Sequence, residues 1–287
     1  MSDIKLDEYE FSICILTLNQ LERTKKCLLS LINTEFISKT ELIIVDNGST
    51  DSTDKWLCDF QNKYNTNAFR IVLVLNKENR GCTGGRNQAC KLAVGKYIVI
   101  LDNDVEIIQN DWLIKLKDFY KSQGSNIGIV GPKMLYPGTD IIQQIGLGVT
   151  QNGKIGYWGQ GKYKNDKEFN IVKELQGYPA ACWLLKRELF EKFGYFDDIY
   201  YPVNLEDVDF CYRIREQGYK IMYCPYVEMY HYEHATTQNT QGLSFIRVTI
   251  KNGLIFKERW RHMFENEVGM TSADIYWLKN TGKEIDG

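Results

Sequence analysis

Tyr97-Ile98-Val99-Ile100-Leu101-Asp102-Asn103-Asp104 is an apolar, β-branched run that breaks abruptly on acids. Such a run reads as a strand buried on both faces, and the carboxylates that end it stand at the sheet edge. Upstream, Phe11 to Leu16, Glu41 to Val45 and Ile71 to Leu75 have the same character. Helical stripes separate them: Leu21, Thr24, Leu28, Leu31 and Ile32, then Trp56, Leu57, Phe60 and Tyr64, then a helix from Gly85 to Val94 after a glycine cluster. This β-α-β-α-β-α-β alternation predicts an α/β fold with a mostly parallel central sheet, a Rossmann-like half that binds at the carboxyl ends of its strands. Polar residues gather at those ends: Thr17-Leu18-Asn19, Asp46-Asn47-Gly48-Ser49, Asn76 to Gly81, and Asp102-Asn103-Asp104.

Downstream of Glu106 the alternation stops. A helix is expected from Asp111 to Lys121, a strand at Ile127 to Val130, and irregular, solvent-facing structure through the Gly/Tyr/Gln-rich region Tyr136 to Tyr163. An aromatic segment, Tyr178 to Tyr201, precedes a helix beginning around Asp207, and a basic helix covers Leu243 to Phe264. The expected organisation is a tail (1–10), a nucleotide-binding half (11–106), an acceptor-binding and catalytic half of the same domain (107–240) and a C-terminal helical segment (241–287).

Across 287 residues, 35 basic and 37 acidic side chains give a net charge of -2, so no global positive field argues for nucleic acid. Apolar runs fall far short of the ~20 residues a spanning helix needs. Met1 to Glu10 has neither the basic start nor the apolar stretch of a secretion signal, and a cytosolic location is expected. The eight cysteines form no CxxC pair and read as reduced, mostly buried thiols.

Asp102 and Asp104 repel each other unless a hard divalent cation, Mg²⁺ or Mn²⁺, sits between them with phosphate oxygens in its shell. His231 and His234 are candidates for a third ligand. The carboxylate of Asp46 can accept a hydrogen bond from a pyrimidine imide or a ribose hydroxyl, while Asp51 or Ser52 caps the following helix. Gly81 to Asn87 lacks the G-x-G-x-x-G spacing, which disfavours a hydride-transfer cofactor; its glycines admit close backbone approach, and Arg86 can pair with phosphate. In Glu206-Asp207-Val208-Asp209, one acid, Asp207 by preference, is a general base for an acceptor hydroxyl, although the spacing does not choose among the three.

In this order and spacing the motifs resemble the inverting glycosyltransferases of family 2, with the GT-A fold. They comprise Leu16 to Asn19, Ile44 to Asp51, Asn79-Arg80-Gly81 through Arg86-Asn87, Leu101 to Asp104, Glu206-Asp207 with Asp209 and Arg213, and Pro225 leading to His231. The resemblance covers Phe11 to about Phe264. It implies that Thr17, Leu18, Asn19, Asp46, Gly81 and Arg86 hold a sugar nucleotide, UDP- or dTDP-linked, and that Asp102 and Asn103 contact ribose or phosphate. It further implies that Asp104 and His231 ligate the metal and that Asp207 is the catalytic base of a single inverting displacement. The acceptor, a glycan, lipid-linked glycan or protein glycan, would meet Trp158, Trp183, Tyr195, Tyr200 and Tyr201, with Asp197 and Glu206 nearby. The opening Asp-Asn-Gly-Ser, Phe196-Asp197-Asp198 and Lys251-Asn252 resemble bacterial rhamnosyltransferase-like members, which build surface polysaccharides.

Lys251, Lys257, Arg259 and Arg261 beside Phe256, Trp260 and Phe264 suit either peripheral membrane contact or packing on the domain itself or on a second subunit. Two other functions compete. A sugar nucleotidyltransferase usually has a glycine-rich loop after the first strand, where this chain has Thr17 to Asn19. A non-catalytic nucleotide-sugar-binding module would bind without transfer.

Overall fold

A computed structural model describes residues 9–35, 39–232 and 245–271. His234, the tail before Tyr9 and the end beyond Thr271 lie outside the described residues. The first half runs β1 (Phe11–Thr17), α1 (Leu21–Ile32), β2 (Thr40–Asp46), α2 (Thr53–Tyr64), β3 (Phe69–Leu75), α3 (Gly81–Leu92) and β4 (Tyr97–Asp102). There follow β5 (Val105–Ile107), α4 (Trp112–Ser122), β6 (Ile127–Leu135), β7 (Ile142–Gln144), β8 (Leu147–Val149), β9 (Ile155–Tyr157) and β10 (Lys173–Leu175). The chain continues through β11 (Cys182–Lys186), α5 (Arg187–Phe193), α6 (Glu206–Glu216), β12 (Lys220–His231) and α7 (Phe245–Phe264).

The main sheet has the order β10-β12-β6-β11-β4-β1-β2-β3. Strands β4, β1, β2 and β3 are mutually parallel; β11 is antiparallel to both β4 and β6, so those two run the same way, and β12 is parallel to β6. Each buried strand feeds two cores because successive side chains point to opposite faces. Val99 and Leu101 join Leu28, Leu31, Leu57 and Leu116 on one face, while Ile98 and Ile100 join Ala89, Phe190 and Ile214 on the other. The chain winds from β1 outward to β3, then returns to place β4 on the other side of β1. That reversal opens a crevice at the carboxyl ends of β1 and β4, where an open α/β sheet binds ligands.

Two expectations need correction. The glycine cluster does not precede its helix but forms the first turn of α3, which begins at Gly81. A Cβ on Gly85 would stand 2.3 Å from a methyl of Leu16, so its lack of a side chain lets α3 lie directly on β1. The Tyr136 to Tyr163 region is not solvent-facing throughout: residues 142–150 are buried and carry β7 and β8. Ile142, Ile145, Leu147 and Val149 supply apolar burial between its glycines and glutamines. The cysteines are unpaired thiols, buried except for the half-buried Cys58 and Cys82. Among the described residues, no helix is long and apolar enough to cross a membrane.

Candidate functional site

The turn from β4 to β5 carries Asp102 and Asp104, and β5 pairs antiparallel with β12 so that Val105 faces His231. The backbone N–H of Tyr232 donates to the Asp104 carbonyl at 3.0 Å, fixing the end of β12 against that turn. One ligand atom from each of Asp102, Asp104 and His231 lies within 4.8 Å of the others. His231 Nε2 is 3.3 Å from Asp104 Oδ1. Burial pushes the Asp104 carboxyl upward, but the His231 hydrogen bond and charge, with a backbone N–H and the Arg23 charge, together outweigh it and hold it below the usual carboxylate range. Two carboxylates and an imidazole are a donor set that fits a divalent cation. Gln143, on β7, contacts His231; sequence reading missed it because it falls in the stretch expected to be irregular.

Arg86 joins this acidic turn to the start of α6. Its guanidinium donates to Asp102 Oδ1 at 2.6 Å and to Glu206 Oε1 at 2.9 Å. The structure separates the three acids that spacing left equivalent. Glu206 is buried against Arg86; burial first, then the charge of Asp207, push its carboxyl up to about 7 against the pull of Arg86. Asp209 is wholly buried and fully engaged, accepting from Tyr200 Oη (3.0 Å), Arg259 Nη1 (2.9 Å), Trp260 Nε1 (2.8 Å) and Arg213 Nη2 (2.6 Å). Asp207 remains half-buried, oriented by the N–H groups of Ala180 (3.0 Å) and Val208 (2.8 Å), and burial raises its carboxyl too. It is the one acid of the three that is not buried.

At the nucleotide end the expected contacts divide. The Thr17 hydroxyl lies 2.8 Å from that of Thr24, and the Asn103 amide donates to both, at 3.1 and 3.0 Å. All three side chains are buried, so Thr17 and Asn103 knit β1, α1 and the β4 turn together. Asn19 takes a left-handed backbone (φ 57) and accepts from the Thr50 N–H at 2.7 Å, beside the half-buried Leu18. The Asp46 carboxylate accepts from the Ser49 hydroxyl and, at 3.2 Å, from its N–H; burial pushes its carboxyl up. Asp51 serves both neighbouring helices, accepting from the N–H of Leu21 at 3.1 Å and of Thr53 at 3.2 Å. Asn47, not singled out from sequence, donates to Asn79 Oδ1 at 2.9 Å and the Gly81 carbonyl at 3.1 Å, holding the β3–α3 loop. Gly81 has φ +72, and a Cβ there would collide with the Tyr201 ring at 2.8 Å.

Several expected acceptor residues lie elsewhere. Trp183 is fully buried between Phe196 and Phe210, with its indole N–H on the carbonyls of Tyr178 and Pro179, so no ring face is left for a sugar. Tyr200 is equally buried. Asp197 caps the 3₁₀ turn Asp198–Tyr200 and pairs with Arg259 at 2.9 Å, which ties it to α7. Trp158 lies under the Lys173 ammonium, Tyr195 stacks on Phe190, and Tyr201 is exposed at the crevice-side loop.

Helix α7 braces that loop. The buried Asn252 amide donates to the carbonyls of Tyr200 (3.0 Å), Val203 (2.9 Å) and Asn204 (2.8 Å), immediately before Glu206-Asp207. Phe256, Trp260 and Phe264 bury the same face against Tyr212 and Val149. The opposite face exposes Ile246 (73%), Ile250 (59%) and Leu254 (65%).

Residues 12–194 match Glycosyl transferase family 2. The chain is 29% identical over 231 residues to protein y4gI of Sinorhizobium fredii, covering 78% of this chain and 24% of that one. It is 30% identical over 156 residues to the O-antigen biosynthesis protein RfbC of Myxococcus xanthus, covering 52% of this chain and 12% of the relative. The chain therefore spans a quarter or less of the length of these two relatives. In fold it is similar to the mannosyltransferase PcManGT from Pyrobaculum calidifontis, solved in complex with GDP-Man and Mn²⁺. That likeness has a TM-score of 0.59 at 19% identity, over 80% of this chain and 59% of the other. The sheet order, the acidic turn at its reversal and a family match spanning most of the chain agree, and the protein belongs to glycosyltransferase family 2, with the GT-A fold.

Proposed function

We propose that this chain transfers a sugar, with inversion, from a UDP- or dTDP-sugar to a hydroxyl on a glycan, lipid-linked glycan or protein glycan, in the making of bacterial surface polysaccharide or glycoconjugate. The observation that carries this reading is the run of contacts from the Asp104, His231 and Asp102 ligand atoms, through the Arg86 bridge, to Glu206 and the adjoining half-buried Asp207. Asp104 and His231, with Asp102, would hold Mn²⁺ or Mg²⁺, which supplies Lewis-acid stabilisation to a departing diphosphate. The strand-end loops bearing Leu18, Asn19 and Asp46 orient base and ribose, and Gly81 keeps the start of α3 close to the nucleotide. Thr17 and Asn103 act as scaffold beneath it. Arg86, already between two carboxylates, is placed to exchange one of them for phosphate oxygen.

Asp207 takes the proton of the acceptor hydroxyl while the oxygen attacks the anomeric carbon from the face opposite the nucleotide. One C–O bond forms as the bond to diphosphate breaks, so the anomeric configuration inverts. The raised carboxyl of Asp207 favours proton acceptance. RfbC of Myxococcus xanthus is named for O-antigen biosynthesis, which supports a polysaccharide acceptor. The exposed Ile246, Ile250 and Leu254, with Arg247, Lys251, Lys257 and Arg261 on the same helix, support peripheral contact with an anionic membrane holding a lipid-linked acceptor.

The test is a panel of UDP-, dTDP- and GDP-sugars with Mn²⁺ or Mg²⁺, with and without EDTA, read as nucleoside diphosphate release and acceptor mass. Metal-dependent release from one donor, reduced by about 10²- to 10⁴-fold in Asp207→Asn, is expected. Full turnover by Asp207→Asn would refute the assignment of the base. Release of pyrophosphate from sugar 1-phosphate and a nucleoside triphosphate would favour the nucleotidyltransferase, and tight nucleotide binding without transfer to any acceptor the binding module.

A further inference from the structure

Histidine has two ring nitrogens, and in the neutral ring only the unprotonated one can hold a cation. The choice at His231 follows from its contacts with Gln143. Leu135 of β6 lies opposite both Tyr230 of β12 and Ile142 of β7, and the next pair is Met134 with Gln144. Gln143 is therefore the extra residue of a β-bulge, a device that re-aims a side chain. It is buried, with 1% exposure, and both polar atoms of its carboxamide meet His231.

The Gln143 Nε2 lies 3.1 Å from the His231 backbone carbonyl. A carbonyl oxygen can only accept, so the amide nitrogen must face it, and this fixes the orientation of the whole carboxamide. Gln143 Oε1 then lies 2.6 Å from His231 Nδ1. An amide oxygen also only accepts, so Nδ1 carries the hydrogen and donates it. The remaining nitrogen, Nε2, is the one at 3.3 Å from Asp104 Oδ1. That nitrogen faces a carboxylate oxygen across a gap that a proton fills in the metal-free ring and that a divalent cation can take over when it displaces the proton.

We infer that Gln143 is a positioning residue that locks His231 in the Nδ1–H tautomer and so presents Nε2 to a divalent cation held with Asp102 and Asp104. This rests on the metal-dependent reading above. The bulge keeps the carboxamide on both the ring and the backbone of the same residue, so it sets the ring's rotation as well as its proton. Partners of this kind around a metal-binding histidine are typically worth 10- to 100-fold in metal affinity.

The chain has three histidines, so a long-range ¹H–¹⁵N spectrum of the labelled, metal-free protein resolves each ring, with His231 assigned by its loss in His231→Gln. In the native chain Nδ1 of His231 is expected to carry a hydrogen, whether or not Nε2 is also protonated opposite Asp104. In Gln143→Leu that preference should disappear, while Gln143→Glu, which keeps the acceptor, should retain it. Mn²⁺ titration followed by electron paramagnetic resonance should show binding to the native chain about 10- to 100-fold tighter than to Gln143→Leu. An Nε2–H tautomer in the native protein overturns the inference, and so does equal Mn²⁺ affinity of a folded Gln143→Leu. Native protein that shows the Nδ1–H tautomer yet binds no Mn²⁺ overturns the metal reading and leaves Gln143 as the group that orients the ring. Should Gln143→Leu not fold, the native spectrum and Gln143→Glu decide.

Discussion

Replacing Glu206 by glutamine should stabilise the protein above neutral pH and leave it nearly unchanged in acid. Glu206 starts α6 with 2% exposure, one oxygen 2.9 Å from Arg86. Burial and the neighbouring Asp207 charge push its carboxyl from 4.5 up to about 7, with the pull of Arg86 already contained in that value. Between these two pH values the folded protein keeps a proton that the unfolded chain has released. The folded state then binds more protons, so stability falls as pH rises through the window, by about 3 kcal/mol in total. Below it both states are protonated, and above it both are ionised. Asp207 is raised in the same direction, so the window belongs to the pair rather than to one residue.

Glutamine keeps the size of the side chain and cannot ionise, while Arg86 retains Asp102 at 2.6 Å. Urea unfolding of both proteins at pH 5, 6, 7 and 8 reads the effect directly. The stability of Glu206→Gln relative to the native chain should grow by about 2 to 3 kcal/mol from pH 5 to pH 8. A difference that stays constant within about 0.5 kcal/mol would show that Glu206 titrates as an ordinary carboxylate, and would refute the buried, Arg86-paired placement.

Asn252→Leu removes the donor that holds the carbonyls of Tyr200, Val203 and Asn204, at a cost of about 1 to 3 kcal/mol in stability. With the loop before Asp207 released, kcat should fall by about 10- to 100-fold while the donor KM stays constant; a changed KM at constant kcat would disconnect α7 from the base. For α7 itself, the native chain should sediment with phosphatidylglycerol vesicles at low salt and be released by the combined Ile246→Ser, Ile250→Ser and Leu254→Ser changes. Equal sedimentation of both proteins removes the membrane role of that face.

Asp209 shows how α7 acts on the start of α6. It sits in the first turn of α6, two residues beyond Asp207, and takes hydrogen bonds from Arg259 and Trp260 of α7. A buried carboxylate is stable only when its oxygens are satisfied, and here four donors satisfy them. Arg259 spans Asp209 and Asp197, so the segment before Asp207 and the helix that carries Asp207 are clamped to the same guanidinium. This explains why Asp197 faces α7 instead of an acceptor.

The chain's own pattern determined the Rossmann-like half, because the apolar runs of β1, β2 and β4 and the stripes of α1 and α2 are local patterns that few alternatives satisfy. It also placed polar residues at the strand ends, and the Asp102 to Asp104 turn with them. Whether those polar atoms face a ligand was decided by tertiary structure. Thr17 and Asn103 read as contacts but are buried and bonded to each other and to Thr24, and Trp183 reads as a sugar platform but faces the core beneath β11. The three acids at the start of α6 are alike in sequence and differ in burial and partners. The joining of Arg86 to Glu206 and of Gln143 to His231 depends on strand order and on a bulge, both set by pairings between segments far apart in the chain. Periodicity records which face of an element is apolar; it carries no record of which element lies against that face.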